Sequence, residues 1–460
     1  MKTVFDAFSA AAREWPENAF LAVLPETAAA YGIAPGEITY AQALARIEAL
    51  AAGYRAAGWG AGVPAVIGPE EVPPLAPGAE GDGAECALLY TSGTTGLPKG
   101  CILSQTYFLE AGRWYHRMGG VCALRPGVER MLTPLPLFHM NAMAVSVMAM
   151  VLGGGCLVVL DRFHPATWWD SVAAARATCV HYLGVMPAIL MTAPVHPKER
   201  AHAVRFGFGA GVDRTLHAGA EARFGFPLVE GWAMTETGAG ATIQANIEPR
   251  VIGQSCFGRT DDFVEALVVR DDGGECAAEE VGELLVRHRG DDPRYGFFSG
   301  YLKDFEATEA GWAGGWWHSG DLVRRDAEGR LYFVDRKKNM IRRSGENIAA
   351  VEVEAVLLRH ADVLAVGVAA VPDALRGDEV FVCVVPKAKV ADRGAFAASL
   401  AAWCLERLAY YKAPGYVAVV DALPLTGTNK IQRGQLKELA RRLLDDAATV
   451  DTRGMKKRQA

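Results

Sequence analysis

Hydrophobic and polar positions along the chain switch repeatedly between a strand period and a helix period. Residues 41–57 carry apolar side chains at helical spacing and predict an amphipathic helix. Residues 156–160 form a short apolar run of strand length, and 168–177 return to the helical period. This alternation of strands with Ala-rich helices predicts α/β layers. From about residue 263 the pattern changes to short strands bounded by Gly and Asp turns, EALVVRDDG, GELLVRH and then HSGDLVRRDAEGRLYFVDR. A β-rich subdomain ending near Arg336 is expected. Beyond Asn339 the pattern predicts a helix at 351–359, strands at 363–371 and 379–386, and helices at 393–407 and 432–444. The expected architecture is therefore a large N-terminal domain of α/β layers with a β-rich subdomain, over 1–336, followed by a small α+β C-terminal domain over 339–445 and a tail over 446–460. Between 58 and 83 the composition shifts to Pro, Gly and Glu, which reads as a loop or linker.

Composition narrows the class without naming it. The chain has 460 residues, 51% hydrophobic and 22% charged, enough to bury at least one large core. Its most apolar stretch, 143–160, is broken by Ser146 and by Gly153-Gly154-Gly155, so no membrane span is expected. The N-terminus mixes acids, bases and aromatics instead of showing a basic end and an apolar block, which places the protein in the cytoplasm. Nine scattered cysteines without a Cys-x-x-Cys pair suggest neither a disulfide framework nor a structural zinc site. A net charge of −6 leaves no electrostatic argument for nucleic acid. The basic run Lys456-Lys457-Arg458 reads as a solvated tail.

The strongest chemical signal is the run LLYTSGTTGLPKG at 88–100, an apolar strand followed by a loop of hydroxyls, glycines and one lysine. Gly93 and Gly96 let backbone N–H groups approach phosphate oxygens. Thr91, Ser92, Thr94 and Thr95 add hydroxyl donors, and Lys99 adds charge. It is not a Walker loop, because Lys99 lacks the Gly-Lys-Ser/Thr setting.

This loop resembles the phosphate-binding motif of the adenylate-forming superfamily, which includes acyl-CoA and aryl-CoA synthetases, luciferases and peptide-synthetase adenylation domains. Gly231-Trp232-Ala233-Met234-Thr235-Glu236 is similar to its second nucleotide motif, with Trp232 where tyrosine is usual and Ala233 where glycine is usual. The resemblance implies that Trp232 stacks on adenine, that Thr235 meets the α-phosphate and that Glu236 binds Mg²⁺. Gly209, Ala210 and Gly211 are assigned to nucleotide contact on the same basis. Ser319-Gly320-Asp321 is similar to the ribose motif, and Asp335-Arg336-Lys337-Lys338 to the ribose-contacting arginine and hinge. Residues 337–338 are thus the expected hinge, with Lys338 as pivot and the C-terminal domain mobile about it. Gly345, in Arg342-Arg343-Ser344-Gly345-Glu346-Asn347, is expected to let the pantetheine arm of CoA pass. Lys430, in LTGTNKI, matches the catalytic lysine motif.

The resemblance implies an acid–CoA ligase using ATP, Mg²⁺ and coenzyme A: a carboxylic acid becomes an acyl-AMP with release of pyrophosphate, then an acyl-CoA with release of AMP. Its partners are a small carboxylic acid and CoA, and a homodimer is compatible with it. His139, in PLPLFHMN, is expected to border the acyl pocket, and the absence of an acid beside Phe138 disfavours amino-acid activation. The stretch from 138 to 190 and the 343–354 loop look most like the crotonobetaine/carnitine-CoA ligase branch. Two alternatives stay open: a degenerate adenylate-binding protein with little turnover, and acyl transfer to a carrier protein. The family also places a longer segment where this chain has only its Pro/Gly-rich stretch, so exposed sheet edges and apolar faces are expected beside it.

Overall fold

The computed structural model describes residues 2–56, 83–91, 99–344, 346–425 and 431–456. An eight-stranded sheet runs edge to edge through Ile243–Gln244, Leu228–Trp232, Phe206–Ala210, Cys179–Leu183, Arg130–Thr133, Cys156–Val159, Ala19–Val23 and Gly36–Thr39. The six inner strands are parallel and the two edge strands antiparallel. Both faces are covered, so alternate side chains of one strand enter different cores. Met131 packs on one side with Tyr107, Trp114 and Met148, while Leu132 packs on the other with Trp168, Trp169 and Phe224. The helices Gln105–Met118 and Val147–Gly153 cover the first face, and Trp168–Ala175, Val185–Thr192 and His217–Phe224 the second.

A five-stranded antiparallel sheet follows, in the order Cys256–Gly258, Leu331–Arg336, Trp317–Arg325, Val281–His288, Val264–Val269. It is the expected β-rich subdomain. A three-stranded sheet, Gly300–Tyr301, Lys99–Ser104 and Glu85–Thr91, carries the ends of the candidate phosphate loop. Glu85–Thr91 is its edge among the described residues, with Tyr90 61% exposed, and Leu50 on the helix Tyr40–Ala56 is 58% exposed. Exposed apolar positions thus flank 57–82, which lie outside the described residues.

The last sheet draws all its strands from residue 341 onward: Glu346–Ile348, Ile341–Arg343, Gly377–Pro386, Tyr416–Val419 and Val450–Asp451, with Val363–Asp373 also on Gly377–Pro386. The helices Ala350–Leu357, Arg393–Leu405 and Arg433–Leu443 pack on it. Of its six described strands only Val363–Asp373 and Gly377–Pro386 were legible in the periodicity. Tyr416–Val419 and Val450–Asp451 are too short to show a period and exist through pairing, Tyr416 with Asp451 and Val417 with Val450. Lys456, expected to be solvated, is instead buried, its side chain 0% exposed, because the pairing of 450–451 turns the chain back onto the sheet. Lys457 and Arg458 lie outside the described residues.

Candidate functional site

The site is assembled where the C-terminal ends of the parallel strands meet the five-stranded sheet. Trp232 is the last residue of Leu228–Trp232. Asp321 and Arg336 are cross-strand partners in the five-stranded sheet, which sets their side chains together. Trp232 Nε1 donates to Asp321 Oδ2 at 2.8 Å, and Arg336 Nε lies 2.6 Å from Asp321 Oδ1. Asp321 is 2% exposed, and burial pushes its carboxyl above the ordinary range against the pull of Arg336 and of the indole N–H. Its Oδ1 is buried without an aligned hydrogen-bond donor among the described residues. A sugar hydroxyl would supply that missing donor, so Asp321 fits a ribose.

Four residues beyond Trp232 the chain reaches Glu236, also buried. Glu236 Oε1 accepts from the Tyr301 hydroxyl at 2.8 Å, and burial together with Glu236 holds that phenol protonated. Lys99 stands over the same ring, its Nζ 4.7 Å from the Tyr301 centroid and 3.1 Å from Asp304. Tyr301 therefore links the expected Mg²⁺ carboxylate to the expected phosphate lysine, a role that no linear motif announced. The Thr235 carbonyl accepts from the Tyr107 hydroxyl at 2.9 Å. Thr91 and Lys99 pair across the hairpin that brackets 92–98. One carboxylate in reach of the expected phosphate lysine is compatible with Mg²⁺, which is usually held by one or two carboxylates plus substrate phosphates.

Gly209, Ala210 and Gly211 close the strand Phe206–Ala210 at the same end of the sheet. The N–H groups of Gly211 and Val212 donate to Glu230 Oε1 at 3.1 and 3.2 Å. Burial raises Glu230. A Cβ on Gly184 would sit 1.6 Å from the Gly211 carbonyl oxygen, so the loops leaving these neighbouring strands touch only because residue 184 is glycine. His139 follows the adjacent strand Arg130–Thr133 and is half-buried, and its Nδ1 accepts from the Asn141 N–H at 3.4 Å. A turn of π-helix, Asn141–Ser146, continues from it onto a buried histidine. His181 Nδ1 lies 2.8 Å from both Ser146 Oγ and Asn141 Oδ1, and its Nε2 3.0 Å from the Tyr115 hydroxyl. Burial drives the His181 pKa down to about 3, which keeps the ring neutral.

At the expected hinge, Lys337 bridges Asp271 at 3.0 Å and Glu283 at 2.9 Å. Lys338 is lowered by burial and by the neighbouring Arg336 charge, with Asp321 opposing. The Arg342 guanidinium meets Asp271 at 2.9 Å. Asp335 accepts from the Arg336 N–H at 2.7 Å and from the Val351 N–H at 3.3 Å. Of the sequence-predicted residues, Trp232, Glu236, Asp321, Arg336, Lys99, Thr91, Thr235 and Lys338 are thus placed within one connected region. Ser92, Gly93, Thr94, Thr95, Gly96, Gly345 and Lys430 lie outside the described residues. Leu425 and Ile431 bridge across the segment that contains Lys430.

A doubly covered α/β sheet with a β-rich subdomain, a compact C-terminal unit and a buried ribose-compatible carboxylate define a nucleotide-handling enzyme class. Residues 69–302 match the AMP-binding enzyme family and residues 352–430 the AMP-binding enzyme C-terminal domain. The chain belongs to this adenylate-forming family. It is 35% identical over 359 residues to the sulfoacetate–CoA ligase of Cupriavidus necator, covering 77% of this chain and 67% of that one. It is 31% identical over 354 residues to the crotonobetaine/carnitine–CoA ligase of Citrobacter koseri, covering 76% and 66%. The alignments therefore span about two thirds of the length of these curated relatives, which are CoA ligases as the resemblance implied. The fold is that of O-succinylbenzoate coenzyme A synthetase from Bacillus subtilis, with a TM-score of 0.72, 23% identity and coverage of 94% of this chain and 98% of that one. Among the described residues no helix is long and apolar enough to cross a membrane.

Proposed function

We propose that this chain is an ATP-dependent, AMP-forming acid–CoA ligase of the cytoplasm, joining a small carboxylic acid to coenzyme A through an acyl-AMP. The observation that carries the reading is the buried Asp321, gripped by Trp232 and Arg336 with one oxygen lacking an aligned donor, next to the Glu236–Tyr301–Lys99 group.

Attack of a carboxylate on the α-phosphorus brings two anions together, so the chemistry needs fixed positive charge and donors more than a nucleophilic side chain. In this reading Asp321 and Arg336 hold the ribose, Trp232 packs beside the base, Thr235 donates to the α-phosphate, and Lys99 with the 91–96 hydroxyls and glycines holds the phosphates. Gly209, Ala210 and Gly211 line the nucleotide from the neighbouring strand end. Glu236 would hold Mg²⁺, which supplies charge neutralisation between phosphate oxygens. Lys430 stabilises the developing charge during acid activation. AMP is then a good leaving group for the CoA thiol, and no covalent enzyme intermediate is required.

The two steps use one site in turn, by rotation of the C-terminal unit about Lys338 that exchanges Lys430 for the turn at Gly345. The contacts to be broken favour this. Arg342 and Asp271 are 59% and 62% exposed, and such pairs contribute about 0–1 kcal/mol.

The acid pocket is assigned to the ends of two neighbouring strands, where His139 with exposed Leu137 and Phe138 follows Arg130–Thr133, and exposed Val185 and Ile189 follow Cys179–Leu183. These side chains favour an acid whose remainder is apolar over one bearing a second charge. The test is acid-dependent pyrophosphate release from ATP and Mg²⁺ against short, branched, aromatic, sulfonated and betaine acids, with and without CoA and beside Lys430→Ala. Release that needs both acid and Lys430, with acyl-CoA as product, supports the reading. Release without transfer to CoA, but with transfer to a carrier protein, would move the acceptor; ATP binding without release would leave a nucleotide-binding protein. Light scattering on the purified protein decides whether it is a homodimer.

A further inference from the structure

The hairpin assigned to the CoA step is built from Ile341–Arg343 and Glu346–Ile348, with Arg343 opposite Glu346. Arg343 also pairs with Gly377, and the Ser344 N–H donates to the Arg376 carbonyl at 2.8 Å. Ser344 has φ 51°, the left-handed conformation that tight hairpin turns demand and that a serine adopts only when its surroundings enforce it.

The residue before this turn is anchored through its side chain. The Arg343 side chain is 2% exposed, and its Nε lies 2.9 Å from both oxygens of Glu379, itself 0% exposed. Glu379 Oε1 also accepts from the Val380 N–H at 2.9 Å and from Lys456 Nζ at 2.6 Å. Lys456 comes from the far end of the chain. The strand Val450–Asp451 docks on Tyr416–Val419, the Thr452 N–H and hydroxyl donate to the Gly415 and Pro414 carbonyls at 2.9 and 2.8 Å, and Arg453 meets Asp373 at 3.1 Å. Space for the arrangement is reserved at Gly415, where a Cβ would lie 2.4 Å from Glu379 Cγ.

Charge balance does not explain the lysine. Arg343 alone neutralises Glu379, Arg376 adds a further cation 4.0 Å away, and Arg343 Nη2 is left without a hydrogen-bond partner among the described residues. Burying a second full cation is costly, and burial lowers Lys456 to about 8 against the pull of Glu379. What Lys456 adds is geometric: together with the Val380 N–H it holds Oε1 from a second direction, so that the carboxylate presents one fixed edge to Arg343.

We propose that Lys456 is a positioning residue for thioester formation: acting through Glu379 and Arg343, the C-terminal segment holds the Ser344 turn in the shape that admits the thiol-bearing arm of CoA. This rests on the CoA-ligase reading above. The test compares wild type with Lys456→Met and Lys456→Arg in the two half-reactions, using whichever acid of the panel turns over. It adds calorimetric titration of CoA into AMP-loaded protein.

For Lys456→Met, acid-dependent pyrophosphate release in the first turnover is expected within about twofold of wild type, while acyl-CoA formation falls about tenfold and CoA binds about tenfold more weakly. Lys456→Arg, which restores a cation to Oε1, is expected to recover most of the loss. Lys430 belongs to the same C-terminal unit, so a merely unfolded unit would lose both half-reactions together, and that result overturns the proposal, as does a Lys456→Met enzyme unchanged in both. Wild-type protein that forms no acyl-CoA overturns the ligase reading itself, and this inference with it.

Discussion

Replacing Trp232 by Phe tests the site where its chemistry and its stability meet. The substitution removes the indole N–H that donates to Asp321 Oδ2 at 2.8 Å, and leaves a buried carboxylate facing Arg336 with one donor fewer. A hydrogen bond to a charged group contributes about 1.5–3 kcal/mol. The smaller ring also loses packing beside Phe257, 6.2 Å away between centroids, so the total deficit mixes two effects. Protonation separates them. Burial already raises the Asp321 carboxyl above its unfolded value and the Trp232 N–H opposes that rise, so the variant's carboxyl is raised further. For an acid whose folded pKa lies above its unfolded one, the folded state binds the extra proton, and stability increases as pH falls through the folded pKa. The variant gains more of this than wild type. Its deficit in denaturant unfolding should therefore be full above the raised range of the Asp321 carboxyl and shrink as pH falls through that range, toward the packing part alone. In a double-mutant cycle with Asp321→Asn, the coupling at neutral pH should fall within about 1.5–3 kcal/mol. A deficit independent of pH, with no coupling to Asp321, would refute the reasoning.

Three further outcomes are expected. His181 is held neutral by burial with a pKa of about 3, below its unfolded value, so the unfolded chain takes up a proton that the folded one refuses as pH falls below the ordinary histidine range. This weakens the fold by about 1.4 kcal/mol per pH unit there, and denaturation curves of His181→Gln should be flatter by that one proton. Tyr301→Phe removes the donor that orients Glu236, and should raise the Mg²⁺ concentration for half-maximal pyrophosphate release about tenfold with little change in melting. Asp271→Ala breaks the exposed contacts of Lys337 and Arg342 and should cost less than about 1 kcal/mol by thermal unfolding.

Most of the fold was legible because its elements are long and periodic. The helices expected at 41–57, 393–407 and 432–444 stand as Tyr40–Ala56, Arg393–Leu405 and Arg433–Leu443, and the strand expected at 363–371 extends to Val363–Asp373. The family of the site was legible too, because backbone-hugging glycines, a phosphate lysine and a ribose acid must occur as local runs. What escaped is what forms by pairing over long separations. Trp232 and Asp321 were each singled out, yet nothing in either run says that an indole 89 positions away donates to that carboxylate. Tyr301 and Glu230 belong to no motif, and their roles arise from the side chains that other strands bring to them. Lys456 was misread for the same reason: a short basic run has the composition of a solvated end, and only the docking of Val450–Asp451 turns it inward.

The Pro/Gly-rich region at 58–83 bears on function through its position. The hairpin that carries Thr91 and Lys99 lies in a three-stranded sheet, and its outer strand Glu85–Thr91 is the edge among the described residues. Of that strand only Leu89 is buried, whereas Leu88 and Tyr90 are 36% and 61% exposed. The inner strand Lys99–Ser104 is anchored by Cys101 and Leu103, both fully buried in the main core. Lys99 therefore sits on the well-held strand, tied to Asp304 and Tyr301, while Thr91 sits on the weakly held one. Local opening is cheapest where few apolar contacts must be broken. Any perturbation that starts at 57–82 accordingly falls first on the hydroxyl side of the candidate phosphate loop, and the Asp321, Arg336 and Trp232 group, anchored in two other sheets, is insulated from it.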